Sequence, residues 1–175
     1  MNWSISEFGA LGEVIGALAV LVTLIYIGRQ LRQANLASES AAIQSFFSAT
    51  ESINRDARIL PRGVLARGLS DWASLSPDEQ VIISHYLLEV ASKIHMGYRL
   101  HLRGVLDDAT YESWEGAFLA IIREPGGAEC WKTCKLFWPD DFNERVNNML
   151  LEPGPSWAEV LPWYAAAALQ ETAID

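Results

Sequence analysis

From Phe8 to Gly28 the chain reads FGALGEVIGALAVLVTLIYIG, about 21 residues with one ionisable side chain, Glu13, and no Lys, Arg, Asp, Asn or Gln. At about 1.5 Å per helical residue, such a run covers the roughly 30 Å of a bilayer's hydrocarbon core. A soluble surface helix of this length carries a polar stripe at helical spacing, and none follows Glu13. Eleven residues of the run are Leu, Ile, Val or Phe. Together they contribute roughly −3 to −7 kcal/mol on an insertion scale, against about +2.5 to +3.5 kcal/mol for an acid at the helix centre and less for one near an interface. The run is therefore expected to be a transmembrane helix.

A secretory signal would carry basic residues before its apolar run and a small-residue cleavage site after it. Here MNWSISE has no basic side chain, and the run passes directly into the helix-forming IGRQLRQAN, so an uncleaved anchor is expected. Arg29 and Arg32 follow at once. By the positive-inside rule they put residues 1–7 outside and residues 29–175 in the cytoplasm of a bacterial inner membrane. Trp3 and Tyr26 suit the two interfaces as aromatic anchors.

The run also carries Gly12 and Gly16 in a GxxxG spacing, with Gly9, Ala19 and Thr23 extending a stripe of small residues. In lipid, small residues let two helix backbones approach and pack. Self-association through this face follows as an expectation. Glu13 projects roughly 60° from Gly16 and 100° from Gly12, which turns the intramembrane acid toward a partner helix rather than toward lipid.

The rest of the chain bounds its partners. All 13 Lys and Arg and all but two of the 22 Asp and Glu lie from Arg29 onward, so this part is net negative. A surface of that sign repels phosphate, and nucleic-acid binding is set aside. Cys130 and Cys134 are the only cysteines. Two thiols one helical turn apart make no disulfide framework, and small apolar groups on a core face are their plainer account. A metal site would need more ligands, and no His lies nearby in sequence. His85, His95 and His101 form neither HExxH nor paired ExxH. No metal and no cofactor is expected.

After Gly28 no breaker occurs until Pro61, so the membrane helix is expected to continue. Leu36, Ile43, Thr50 and Ala57, with Phe46, Ile53 and Leu60, draw an amphipathic stripe on it. Arg55, Arg58, Arg62 and Arg67 follow, interspersed with Asp56 and Asp71. They are candidates for an anion or lipid-headgroup site, where each contributes about 1 kcal/mol near a membrane surface. A solvated stretch of ion pairs is the plainer reading.

SLSPDEQ opens a helix with a capping box of Ser76 and Glu79 and with Pro77 at its first position; this helix should run to about Arg103 and stop at Gly104. Val81, Ile82, Leu87, Leu88, Val90, Ala91, Ile94 and Leu102 spread widely around it, marking a central helix. His85 and Glu89, and His95 and Arg99, lie one turn apart on it and could transfer protons in a cleft, although such pairs are more often surface pairs or satisfied core groups. Helices should follow from about Asp108 to Arg123, with a stop at Pro125, then a short one bearing Trp131 and Trp138 on one face, then one over about 140–151. A last helix starts at a second capping box, Ser156 and Glu159, and Pro162 should kink it or delay its start. No stretch alternates with period two, and no phosphate loop, nucleophile elbow or repeat appears. The fold class is all-α: a transmembrane helix continuing into a cytoplasmic bundle of about five helices.

LIYIGRQLRQAN closing the span, SLSPDEQ, GVLDD followed by YESW, and EPGG with a Trp five residues beyond Gly126 resemble, in that order, an uncharacterised family of small bacterial proteins. The resemblance covers about Phe8 to Leu151. It implies one N-terminal span and a helical cytoplasmic domain, and it carries over no catalytic or binding residue. Three functions compete. The first is a membrane-anchored interaction module that associates with itself or with a protein partner. The second is an oligomeric ion-conducting or proton-sensitive assembly with a ring of Glu13. The third is a bundle enzyme or ligand binder using His85 and Glu89.

Overall fold

The computed structural model of the chain describes residues 5–60, 62–160 and 162; the side chains of residues 5–8, 10–11, 52–59 and 62 lie outside that description. The fold is all-α. Among the described residues the helices are α1 (Ile5–Ile59), α2 (Arg62–Ser70), α3 (Pro77–Leu102), α4 (Asp108–Arg123), α5 (Pro125–Cys134), α6 (Asp140–Leu150) and α7 (Trp157–Val160), with 3-10 turns at Trp72–Ser74 and Lys135–Phe137. The chain divides into two compact units, Met1–Ala42 and Ile43–Asp175, and α1 contributes to both. In the first unit the described side chains from Gly12 to Ala41 are all exposed.

Local signals place most helix ends of the second unit. At the start of α3 the Ser76 N–H donates to Glu79 Oε2 at 2.8 Å, and the Glu79 N–H donates to Ser76 Oγ at 3.4 Å, so two orphan donors of the first turn are satisfied reciprocally. The α3 helix ends at Leu102, and Gly104 turns the chain with φ +69°, a conformation open to glycine without a Cβ clash. Asp107 then caps α4 by accepting from the Thr110 N–H at 2.9 Å. Glu124, extended at φ −64° and ψ 147°, ends α4 and begins α5. Pro125 forces that geometry, because its ring disfavours helical backbone in the residue before it. The Pro is thus both the expected stop and a start. The second capping box also forms: the Ser156 N–H donates to Glu159 Oε2 at 2.7 Å. Pro162 is exposed, and the residues on either side of it, 161 and 163–175, lie outside the description, so the expected kink is not described.

The interior has two parts that share α3. Its residues Ile83, Leu87, Val90, Ile94 and Tyr98 make one buried stripe at helical spacing. The N-terminal half of that stripe packs with Leu65 and Leu69 of α2, Cys130 and Cys134 of α5, and Trp157. The C-terminal half packs with Phe46 of α1, Tyr111 and Phe118 of α4, and Phe142 of α6. The central position of α3 agrees with its sequence, but its breadth does not: Val81, Ile82 and Leu102 are exposed. The first two lie off the stripe in the first turns and the third is the last helical residue. On α1 the amphipathic stripe becomes buried at Phe46 and Thr50, whereas Leu36 is exposed.

Two glycines set the contact of α2 with α5. A Cβ on Gly126 would fall on the carbonyl group of Gly68, with the Leu69 carbonyl oxygen 3.0 Å away. The backbones therefore touch where a side chain would stand. Gly126→Ala should separate the two helices and cost about 1–3 kcal/mol, as overpacking of a close-packed site does, read as a lowered midpoint in thermal unfolding of the full chain.

Candidate functional sites

Three groups of side chains carry chemistry, and the first lies on α1. Its apolar run reaches a mean hydropathy of 1.9, with no residue of that segment buried, so α1 is long and apolar enough to cross a membrane. Val14, Ile15, Val20, Leu21 and Leu24 point to different sides of the helix, and each is more than half exposed. Gly9, Gly12, Gly16 and Ala19 are exposed on the same helix, and a Cβ on any of the three glycines would meet nothing within 4 Å. Thr23 Oγ1 donates to the Ala19 carbonyl at 2.8 Å, so its hydroxyl is satisfied within the helix. Glu13, Arg29 and Arg32 are exposed. Trp3 and the side chains of Arg55, Arg58 and Arg62 lie outside the description. Arg67 lies within it, and its guanidinium donates to Glu79 Oε1 at 2.6 Å. That bond holds the capping carboxylate, whose pKa is lowered mainly by the Ser76 backbone N–H and hydroxyl and then by Arg67.

The second group was not legible in the sequence. Glu115 of α4 is fully buried at 1% exposure. Arg145 of α6 grips it with both arms of its guanidinium, Nε to Oε1 at 2.6 Å and an Nη2 bond to Oε2 at 2.8 Å. The Tyr111 hydroxyl donates to Oε1 at 2.7 Å. The guanidinium also lies over the rings of Tyr111 and Tyr98, 5.2 and 5.7 Å from their centroids. On the remaining side of Tyr111, His101 stacks at 4.8 Å. Burial, followed by the hydrogen bond to Glu115, pushes the Tyr111 hydroxyl far above its ordinary pKa, so it stays a neutral donor. The hydrogen bond to Glu115 raises Arg145 in turn. This is a closed arrangement in which both carboxylate oxygens are used, and it ties α3, α4 and α6 together.

The histidine pairs are spread over separate contacts. His85 is exposed, with Nδ1 2.9 Å from the Val81 carbonyl oxygen, and Glu89 pairs with Lys93 at 3.4 Å. His95 packs on Phe142 at 5.0 Å, and burial, then the charge of Arg99, lowers its pKa. Arg99 reaches Asp141 of α6 at 3.4 Å.

The third group is the cysteine pair. Cys130 and Cys134 are buried, yet their sulfurs, 3.3 Å apart, line a cavity of about 370 Å³ together with Trp72, Ser84, Leu88, Glu129, Thr133 and Phe137. The hydrogen bond between them lowers Cys134 and, with burial, raises Cys130, because losing a proton from one sulfur makes the other harder to ionise. Trp131 and Trp138 stack at 5.6 Å, and Trp131 is a core residue.

No protein family, curated protein or solved structure matches this chain.

Proposed function

We propose that the chain is a membrane-anchored helical module that associates with itself through the small-residue face of α1, with residues 29–175 on the cytoplasmic side of a bacterial inner membrane. The observation that supports this most is the apolar surface of α1, exposed from Val14 to Ile27. Soluble monomers rarely leave a contiguous apolar surface beyond a few hundred Å² in water, and lipid is the solvent that such a surface fits. Arg29 and Arg32 at its C-terminal side set the orientation. Gly9, Gly12, Gly16, Ala19 and Thr23 form the packing face, and Glu13 sits on its flank. No catalytic activity is assigned.

The test is the mass of the full chain in detergent micelles, corrected for bound detergent. The wild type should be oligomeric, and Gly16→Leu, which places a branched side chain on the packing face, should shift it to monomer. A wild type that is strictly monomeric and unaffected by the substitution rejects self-association. The stoichiometry also separates two forms of the proposal. A dimer needs only the small-residue face, whereas a closed ring would bring several Glu13 carboxylates together, as an ion-conducting or proton-sensitive assembly requires.

A further inference from the structure

We propose that Cys130 and Cys134 form a two-sulfur site for one copper(I) ion, facing the cavity beside α5. The thiols project from successive turns of one helix, and their sulfurs are 3.3 Å apart. A disulfide would be the obvious product of such a pair, but the helix forbids it. Residues four apart on a helix keep their Cβ atoms about 5–6 Å from each other, and a disulfide needs about 3.5–4.5 Å. What fits between the sulfurs is one bridging atom. Two metal–thiolate bonds of about 2.3 Å each span at most about 4.6 Å, so each sulfur has to move by well under about 1 Å from its present place.

The donor set selects the ion. Structural zinc and iron–sulfur clusters are held by four ligands, and among the described residues no third His, Cys, Asp or Glu groups with the pair as a metal site. Soft thiolates favour copper(I), a closed-shell monovalent ion that accepts two sulfur donors. The surroundings agree. Trp72, Leu88 and Phe137 wall the cavity with apolar surface, Ser84 reaches Cys130 as a hydrogen-bond partner, and the carboxylate of Glu129, which would repel the anionic complex, is paired with Lys132 at 2.7 Å. Binding replaces the thiol protons: two thiols and one copper(I) give a bis-thiolate complex and two protons, with no change of oxidation state. Affinity therefore rises with pH.

The site is tested on the full chain in detergent, reduced and anaerobic, by titrating copper(I) against the chromogenic chelator bicinchoninate. One ion per chain should be taken from the chelator, and Cys130→Ser and Cys134→Ser should each weaken uptake at least 100-fold while leaving the far-ultraviolet helical signal unchanged. X-ray absorption of the loaded wild type should show sulfur neighbours at about the metal–thiolate distance. The proposal is overturned if the wild type takes no copper(I), if the double serine variant takes it equally well, or if the absorption edge reports only nitrogen and oxygen neighbours. It is also overturned if mild hydrogen peroxide converts the pair cleanly to an intramolecular disulfide, two mass units lighter, because the sulfurs would then meet without a bridging atom.

Discussion

Replacing Arg145 by Met should destabilise the helical domain by about 3–5 kcal/mol, the cost of leaving a buried carboxylate without its charged partner. Glu115 is 1% exposed and Arg145 occupies both of its oxygens, so the substitution removes its counter-charge and two hydrogen bonds at once. The single change Glu115→Met should also destabilise, since it strands Arg145 between the rings of Tyr98 and Tyr111. The double variant, Glu115→Met with Arg145→Met, should be far less destabilised than the sum of the two. Burying two charges is itself costly, and well-packed apolar replacements of similar volume are often neutral or better. Chemical unfolding of the four proteins closes the cycle. If Arg145→Met costs less than about 1 kcal/mol, the pair is solvated and the tie between α4 and α6 is not electrostatic.

That pair also shows where the sequence stops being informative. The helix ends were legible because their causes are local: Ser76 with Glu79, Gly104 at positive φ, Pro125 restricting Glu124, and Ser156 with Glu159 all act within a few residues. The all-α class and the apolar run were legible for the same reason, since periodicity and hydropathy are properties of a window of chain. Glu115 and Arg145 are 30 positions apart, and each by itself reads as one more charge on an amphipathic helix. The exposure of Val81 and Ile82 escaped prediction in a similar way: an apolar residue is buried only if a neighbouring helix arrives on its side, and that is decided elsewhere in the chain. The cysteine pair lies between the two cases. Its spacing of one turn was visible, but the cavity beside it is made by residues from Trp72 to Phe137. The EPGG segment shows the same limit, because the helix stop at Pro125 was readable and the contact of Gly126 with Gly68 was not.

Phe46→Ala should be the other large loss, about 3–5 kcal/mol for truncating a fully buried aromatic ring. Phe46 is completely buried, edge-on to Phe47 at 5.7 Å and to Trp114 at 6.1 Å. It lies over Gly97 of α3, where a Cβ would stand 2.8 Å from its ring carbon. A glycine in a helix interior weakens the helix by roughly 0.5–1 kcal/mol relative to alanine, so Gly97 is a local cost offset by the ring it admits. This makes the pair testable as a unit. In the wild type, Gly97→Ala should destabilise by about 1–3 kcal/mol through overpacking. In the Phe46→Ala background the same change should be neutral or stabilising, because the space above α3 is then empty and only the helix preference remains. Unfolding midpoints of the four proteins measure the reversal of sign, and a Gly97→Ala cost that is the same in both backgrounds would refute the contact. The turns of α1 around residues 43–50 join the interior through this ring and the buried Thr50. Loss of Phe46 should therefore release those turns while α3, α4 and α6 retain the Glu115–Arg145 tie, so amide exchange should accelerate first around residues 43–50.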